Sequence, residues 1–259
     1  MKVTVTKVTP LYPNDSFVQW TVDDPTNRLS QFEVLRSGSP GGPFEAVSGT
    51  LSDDTFFYLD KGVNQHGLTT RVWYIVKAAP LHGAVDVVLS DPATAEYHDD
   101  VTRGRLSRKA RYDLDISLRR LNGVRVLLLK RKRFGLRCTT CYDPVSKESV
   151  LSHCSECYGT TYTGGYHTPV EAYGKFDPSL ITRVVDLSGE SETSLHGITI
   201  LDYPAMEIDD IIVEMRTNRR YLVKRRISTE ARRVLVHQDL QVSELSRSAV
   251  EYNIPLSLS

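Results

Sequence analysis

A chain of 259 residues, 40% hydrophobic and 25% charged, has room for two or three small domains with packed cores. No run approaches twenty apolar residues, which argues against a membrane span, and the opening Met1-Lys2-Val3-Thr4-Val5 alternates like a strand instead of reading as a secretion signal. The formal net charge is zero, yet it is unevenly laid out: −6 over residues 1–102, +11 over 103–137, −10 over 138–215 and +5 over 216–259. Blocks of this size suit surfaces that pair with complementary blocks, within the fold or on a neighbouring copy.

Residues 1–97 read as an antiparallel β-sandwich. Short alternating runs recur at Val3 to Val8, Phe17 to Val22, Phe32 to Leu35, Phe56 to Leu59, Val72 to Ala78 and Val85 to Leu89. Turn-forming clusters separate them, such as Tyr12-Pro13-Asn14-Asp15 and the stretch from Ser37 to Pro43. Trp20 in the second run, Phe32-Glu33-Val34-Leu35-Arg36 followed by Phe44-Glu45, and Arg71-Val72-Trp73-Tyr74-Ile75-Val76-Lys77-Ala78 together resemble a fibronectin type III domain. That resemblance covers about a third of the chain and implies a binding or spacing module. Trp20, Trp73 and Tyr74 are then expected in its core.

Residues 98–135 change period and read as a basic helix with a connecting strand. Leu106, Ala110, Leu114, Leu118 and Leu121 make one helical stripe, with Thr102 as the expected N-cap and Asn122-Gly123 as the stop. The other face carries Arg103, Arg105, Arg108, Lys109, Arg111, Arg119 and Arg120, candidates to face DNA or a neighbouring subunit. No sequence-reading motif accompanies them, so a non-specific contact with DNA is the expectation over a sequence-specific one. Val124 to Lys130 reads as a strand leading to the first cysteine.

Residues 136–168 hold all four cysteines, as Cys138-Thr139-Thr140-Cys141, twelve residues, then Cys154-Ser155-Glu156-Cys157. Two C-x-x-C knuckles supply the four thiolates of a tetrahedral zinc site and leave no position open for water, which points to a structural ion. Two disulfides are the alternative, and iron suits four sulfurs as zinc does. His153 could replace one sulfur, but neighbouring residues ligate one ion poorly. The Cys-x-x-Cys-x-Gly and Gly164-Gly165-Tyr166 that follow are similar to zinc ribbons and to chaperone-type cysteine-rich repeats, where glycine permits positive φ around the sulfurs.

Residues 169–259 return to strands, expected at Val170 to Phe176, Gly197 to Leu201, Ile211 to Met215, Tyr221 to Arg225 and Val234 to Val242. Turns are expected at Asp177-Pro178, Asp202-Tyr203-Pro204, Thr217-Asn218 and Ser228-Thr229-Glu230, giving a small β-barrel. Asp209-Asp210-Ile211-Ile212, the hairpin after it and a last strand ending Tyr252-Asn253-Ile254-Pro255-Leu256 resemble the barrel of tailed-bacteriophage neck or head-completion proteins.

The whole is expected to be mainly β: sandwich, basic helix, Cys₄ ribbon and barrel. The resemblance implies a virion structural protein at the neck or head-to-tail connector. There it would form a ring with copies of itself and contact portal, neck or tail proteins, with a non-specific touch on packaged DNA and no membrane. The alternatives are a tail or baseplate part, or a zinc-ribbon nucleic-acid adaptor. Nucleophile-elbow, phosphate-loop, zinc-protease and dinucleotide motifs are all lacking, so no catalysis is expected. The acid pairs Asp53-Asp54, Asp99-Asp100 and Asp209-Asp210 are expected to be solvated loop residues.

Overall fold

The computed structural model describes residues 1–12, 14–24, 30–61, 72–80, 87–95, 100–151, 154–186, 189–231 and 234–256. Pro13, Arg71, Val85, Asp99 and His153, each invoked above, lie outside the described residues. The chain forms two compact units: residues 1–109 with 132–167, and residues 110–131 with 168–259.

The first unit begins with a β-sandwich. Its strands are β1 (Lys2–Leu11), β2 (Asp15–Asp23), β3 (Ser30–Ser37), β4 (Glu45–Ala46), β5 (Phe57–Asp60), β6 (Trp73–Pro80), β7 (Val88–Leu89) and β8 (Ala93–Thr94). One sheet has the order β1-β2-β5 and the other β4-β3-β6-β7, with β8 also on β6. Val3, Val18, Trp20, Phe32, Val34 and Val76 are all buried. Alternation puts such side chains on the inner faces while Thr21, Gln31 and Lys2 stay out. Asp60 fastens the sheets together: it accepts a 2.9 Å bond from the Tyr74 hydroxyl and a 2.9 Å ion pair from Arg36, both on the opposite sheet. Tyr74 and Trp20 are therefore core residues as expected. Trp73 is half-buried, because it precedes Tyr74 and so points to the other face of β6.

The basic helix α1 runs Val101–Ser117 and ends in a π-helical turn, Leu118–Asn122. Asp100, and not Thr102, is the N-cap: its Oδ1 accepts the Arg103 N–H at 2.9 Å while its carbonyl takes the first helical bond from Gly104. The helix stops at the expected Gly123, whose N–H returns to the Leu118 carbonyl. A Cβ there would lie 2.3 Å from that carbonyl oxygen, so only glycine fits. The buried face is Ser107, Arg111 and Leu118, rotated from the expected stripe; Leu106 and Leu121 are exposed, Leu121 by 82%. An ion pair made by Arg111 accounts for the rotation. Its Nε and Nη2 reach the two Asp202 oxygens at 2.7 and 2.8 Å, both residues being buried.

The second unit is a closed six-stranded barrel. Its strands are β9 (Val124–Leu129), β10 (Val170–Asp186), β11 (Gly189–Leu201), β12 (Ile211–Glu214), β13 (Arg219–Ala231) and β14 (Val234–Glu244), in the order β10-β11-β14-β13-β12-β9. Its first strand is thus upstream of the cysteines, and the whole cysteine segment is inserted between two hydrogen-bonded neighbours, with Leu128 opposite Val170. Val126, Leu128, Ile198, Ile200, Ile212, Val223, Leu240 and Val242 fill the interior. Gly174 is small because Ile198 and Ile200 close over it. Gln238 is buried but satisfied: it accepts the Met206 N–H and donates to the Leu201 and Pro204 carbonyls at 2.9 and 2.7 Å.

Three expected boundaries move. Asp177-Pro178 is a bulge within β10, a place where a strand tolerates proline, and the strand continues past it. Ser228-Thr229-Glu230 stays extended in β13, where Thr229 donates to Asp239 on β14 at 2.7 Å. The segment expected as a last strand is a short 3₁₀ turn, Val250–Asn253. The Arg220 guanidinium reaches the Glu251 and Ile254 carbonyls and lies 5.3 Å from the Tyr252 ring, which folds this segment back on the barrel. Asp210 also departs from expectation. It is fully buried, takes Lys130 Nζ at 2.9 Å and accepts the Arg131 and Glu207 N–H groups, so it is a structural anchor and not a solvated loop residue. Among the described residues, no helix is long and apolar enough to cross a membrane.

Candidate metal centre

The cysteine segment, residues 132–167, has almost no regular secondary structure and belongs to the same unit as the sandwich. Its fold is written in turns. The Tyr142 N–H bonds back to the Cys138 carbonyl and the Tyr158 N–H to that of Cys154, so each knuckle closes on itself. Between them, Tyr142 and Ser149 bridge, and the Val150 N–H bonds the Cys141 carbonyl at 2.8 Å. Asp143 rigidifies the tip by accepting from the Val145 N–H and the Ser146 hydroxyl, each at 2.9 Å. Gly165 has φ +68°, and a Cβ on it would sit 2.7 Å from the Cys157 carbonyl oxygen. This is the position where the aromatic-flanked glycine pair of the sequence is required.

These turns bring four sulfurs together. Cys138, Cys141, Cys154 and Cys157 are at most 2% exposed, and their sulfurs all lie within 4.8 Å of one another. They form a buried cluster with no aliphatic member. Four convergent soft donors without a hydrophobic core are the donor set of a thiolate-bound metal, and the residues present fit one. Above all, burial pushes the Cys141 thiol up to about 12, and it raises Cys138 too. Burial also opposes the Cys154 thiolate, but the Glu156 and Cys157 N–H groups bring it down to about 7. A bound cation would supply the positive charge that lets several buried thiolates coexist.

Several residues around the cluster were not singled out by motif. Arg137 lies between two rings, 4.7 Å from the Tyr142 centroid and 4.0 Å from that of Tyr162, and donates to the Thr161 hydroxyl at 2.6 Å. The Thr140 hydroxyl bonds Glu156 at 2.5 Å, tying the first knuckle to the second. The feet of the segment stand on the sandwich. Phe134 packs edge-on to Phe32, and His167 lies 5.1 Å from Phe56 and 4.9 Å from Phe134. His167 Nδ1 is 3.0 Å from the Asp54 carbonyl, and Lys132 forms an ion pair with the Asp54 carboxylate. Aromatic residues flanking both knuckles were the only sequence signal for this seat.

The basic candidates divide. Arg111 is buried on Asp202 and cannot face a ligand. Arg119 pairs with Asp115 at 2.8 Å and lies 5.1 Å from the Tyr173 ring centroid. Arg103 is 3.5 Å from Asp100, and Arg108 is half-buried. Arg105, Lys109 and Arg120 are exposed. No protein-family model matches the chain, and no characterised protein matches its sequence.

Proposed function

We propose that the chain is a structural component of a tailed-bacteriophage particle, at the neck or head-to-tail connector, and that its four cysteines hold zinc as a brace. Four Zn–S bonds of about 2.3 Å at tetrahedral angles separate the sulfurs by about 3.8 Å. Cys138 and Cys154 stand 3.8 Å apart, and Cys141 and Cys157 3.2 Å, far beyond the roughly 2 Å of a disulfide. With all four positions taken by sulfur, such an ion has no place for a substrate and acts on the fold alone.

The observation that carries the particle reading is the combination of a closed barrel, a sandwich and a metal-braced segment in one chain with segregated charge blocks. These are parts for adhesion: rigid β-surfaces that mate with copies of the chain in a ring and with portal, neck or tail proteins. The exposed Arg105, Lys109 and Arg120 support a weak contact with packaged DNA, one that fades with salt. Imaging of purified particles with a labelled antibody tests the position. Label at the neck is expected; label on the tail or baseplate moves the assignment there, and a chain confined to the infected-cell cytosol overturns it. Elemental analysis is expected to find one zinc per chain, and iron or no metal would reject zinc.

A further inference from the structure

Four strands of the barrel wall carry a row of side chains whose pattern the fold itself does not need. Register places Asp177 of β10 beside Gly197 of β11, Gly197 beside Gln241 of β14, and Gln241 beside Arg225 of β13. A neighbouring row runs Lys175, Thr199, Asp239 and Ile227 across the same strands. Ile198, Leu240 and Val242 fill the interior, so the alternate residues of these two rows stand on the outside of the wall.

Gly197 is the gap in the first row. Glycine within a strand weakens it and often marks a place where another group comes close. Nothing inside the chain requires it here: its φ is not in the left-handed region, and a Cβ would meet only the Asp177 side chain, at an ordinary contact of 3.4 Å. The missing side chain opens a notch of about 220 Å³ lined by Leu195, Ile227, Gln241, Asp177 and Asp239. Small-molecule sites usually hold about 300–1,000 Å³, so this space suits a single side chain better than a cofactor. Aliphatic walls beside two acids suit a side chain that carries N–H donors.

Neither acid is spent on a buried cation. Asp177 meets Lys175 at 2.9 Å with both nearly half exposed, a pairing that contributes little. Asp239 accepts the Thr199 and Thr229 hydroxyls at 2.6 and 2.7 Å, and its only ion-pair contact among the described residues is His237, 3.4 Å away. Donors are available on the same face. Arg225 is exposed, and neither its guanidinium nor the Gln241 amide has a partner among the described residues. Three strand spacings, about 14 Å along the wall, separate Arg225 from Asp177, too far for an ion pair within one chain.

We infer that this face pairs with itself: Arg225 of one copy reaches Asp177 of a second, and Gln241 of one fills the Gly197 notch of the other. A two-fold axis along the strands, between β11 and β14, reverses each row against its own copy. Asp177 then faces Arg225, Gly197 faces Gln241, Thr199 faces Asp239, and Lys175 lies over Ile227, which is 42% exposed in the single chain. No like charges meet in this register. A barrel wall is convex, so few residues touch and the contact is a weak one at the low end of interface size. The pair stops at two copies, and it rests on neither the ring nor the particle proposed above.

The test is sedimentation of the purified full-length protein over a range of concentrations. Wild type is expected to dimerise as concentration rises, less so in high salt. Arg225→Glu and Asp177→Lys, each alone, are expected to weaken association about tenfold or more. Mixing these two variants should restore it, because the mixed pair has opposite charges at both contacts. Gly197→Val fills the notch and is expected to weaken association while leaving the melting temperature unchanged or higher. A wild type that is monomeric at all concentrations, association unchanged by Arg225→Glu or by Gly197→Val, or no gain on mixing overturns the inference. Particle localisation is read separately: label at the neck with a monomeric free protein would sink the pairing and leave the virion reading standing, and a dimer never found in particles would do the reverse.

Discussion

The barrel and the cysteine segment solve the same problem by opposite means. The barrel closes six strands on each other, which leaves no edge around its wall and packs Ile198, Ile200, Leu128 and Val223 inside. Among its described residues the cysteine segment has no strand ladder and no aliphatic core; its centre is four thiols. Closure by backbone pairing needs length and alternation, whereas closure by a metal needs four residues and two tight turns. A segment without an aliphatic cluster at its centre can thus still be ordered, through turn hydrogen bonds and four converging sulfurs.

The difference is sharpest under metal removal. Chelation, or Cys154→Ser, is expected to unfold residues 136–165 outright, since binding energies of about 10 kcal/mol or more hold such small sites. Limited proteolysis would then cut between the knuckles while the barrel stays resistant; a segment still protected without metal would contradict the brace. A smaller effect is expected from Asp210→Asn, which leaves Lys130 charged and buried beside a neutral amide. About 3–5 kcal/mol of barrel stability should be lost in urea unfolding, with zinc content unchanged. Ile200→Ala opens a cavity in the barrel and should cost about 3 kcal/mol in the same measurement. If it also lowered zinc content, the two regions would not be separable as drawn. Least of all, Asp100→Ala removes the helix cap and is expected to cost about 1 kcal/mol, read as a modest fall in melting temperature.

What the sequence disclosed follows the same division. The cysteine spacing picked out the four residues whose sulfurs converge, because a metal site ties residue type directly to position. Strand alternation located β1, β2, β3 and β6, with their ends one to three residues off. It failed where tertiary pairing overrules local signals. Pro178 and Ser228-Thr229-Glu230 look like stops, yet each lies in a strand whose partner is already fixed. Arg111 looks like a surface charge, and only a residue ninety-one positions away, Asp202, makes it an interior one. The membership of β9 in the barrel was hidden for the same reason, since its neighbour β10 follows only after the inserted segment.

That insertion has a consequence in time. Pairing Leu128 with Val170 requires the chain to close a loop of about forty residues, a step whose entropic cost grows with the freedom of the intervening chain. The proposed ion, by joining Cys138–Cys141 to Cys154–Cys157, would shorten the free path to the residues on either side of the clip. The order of events during synthesis should then be metal first and barrel second, and zinc-starved cells should accumulate chains whose barrel closes late.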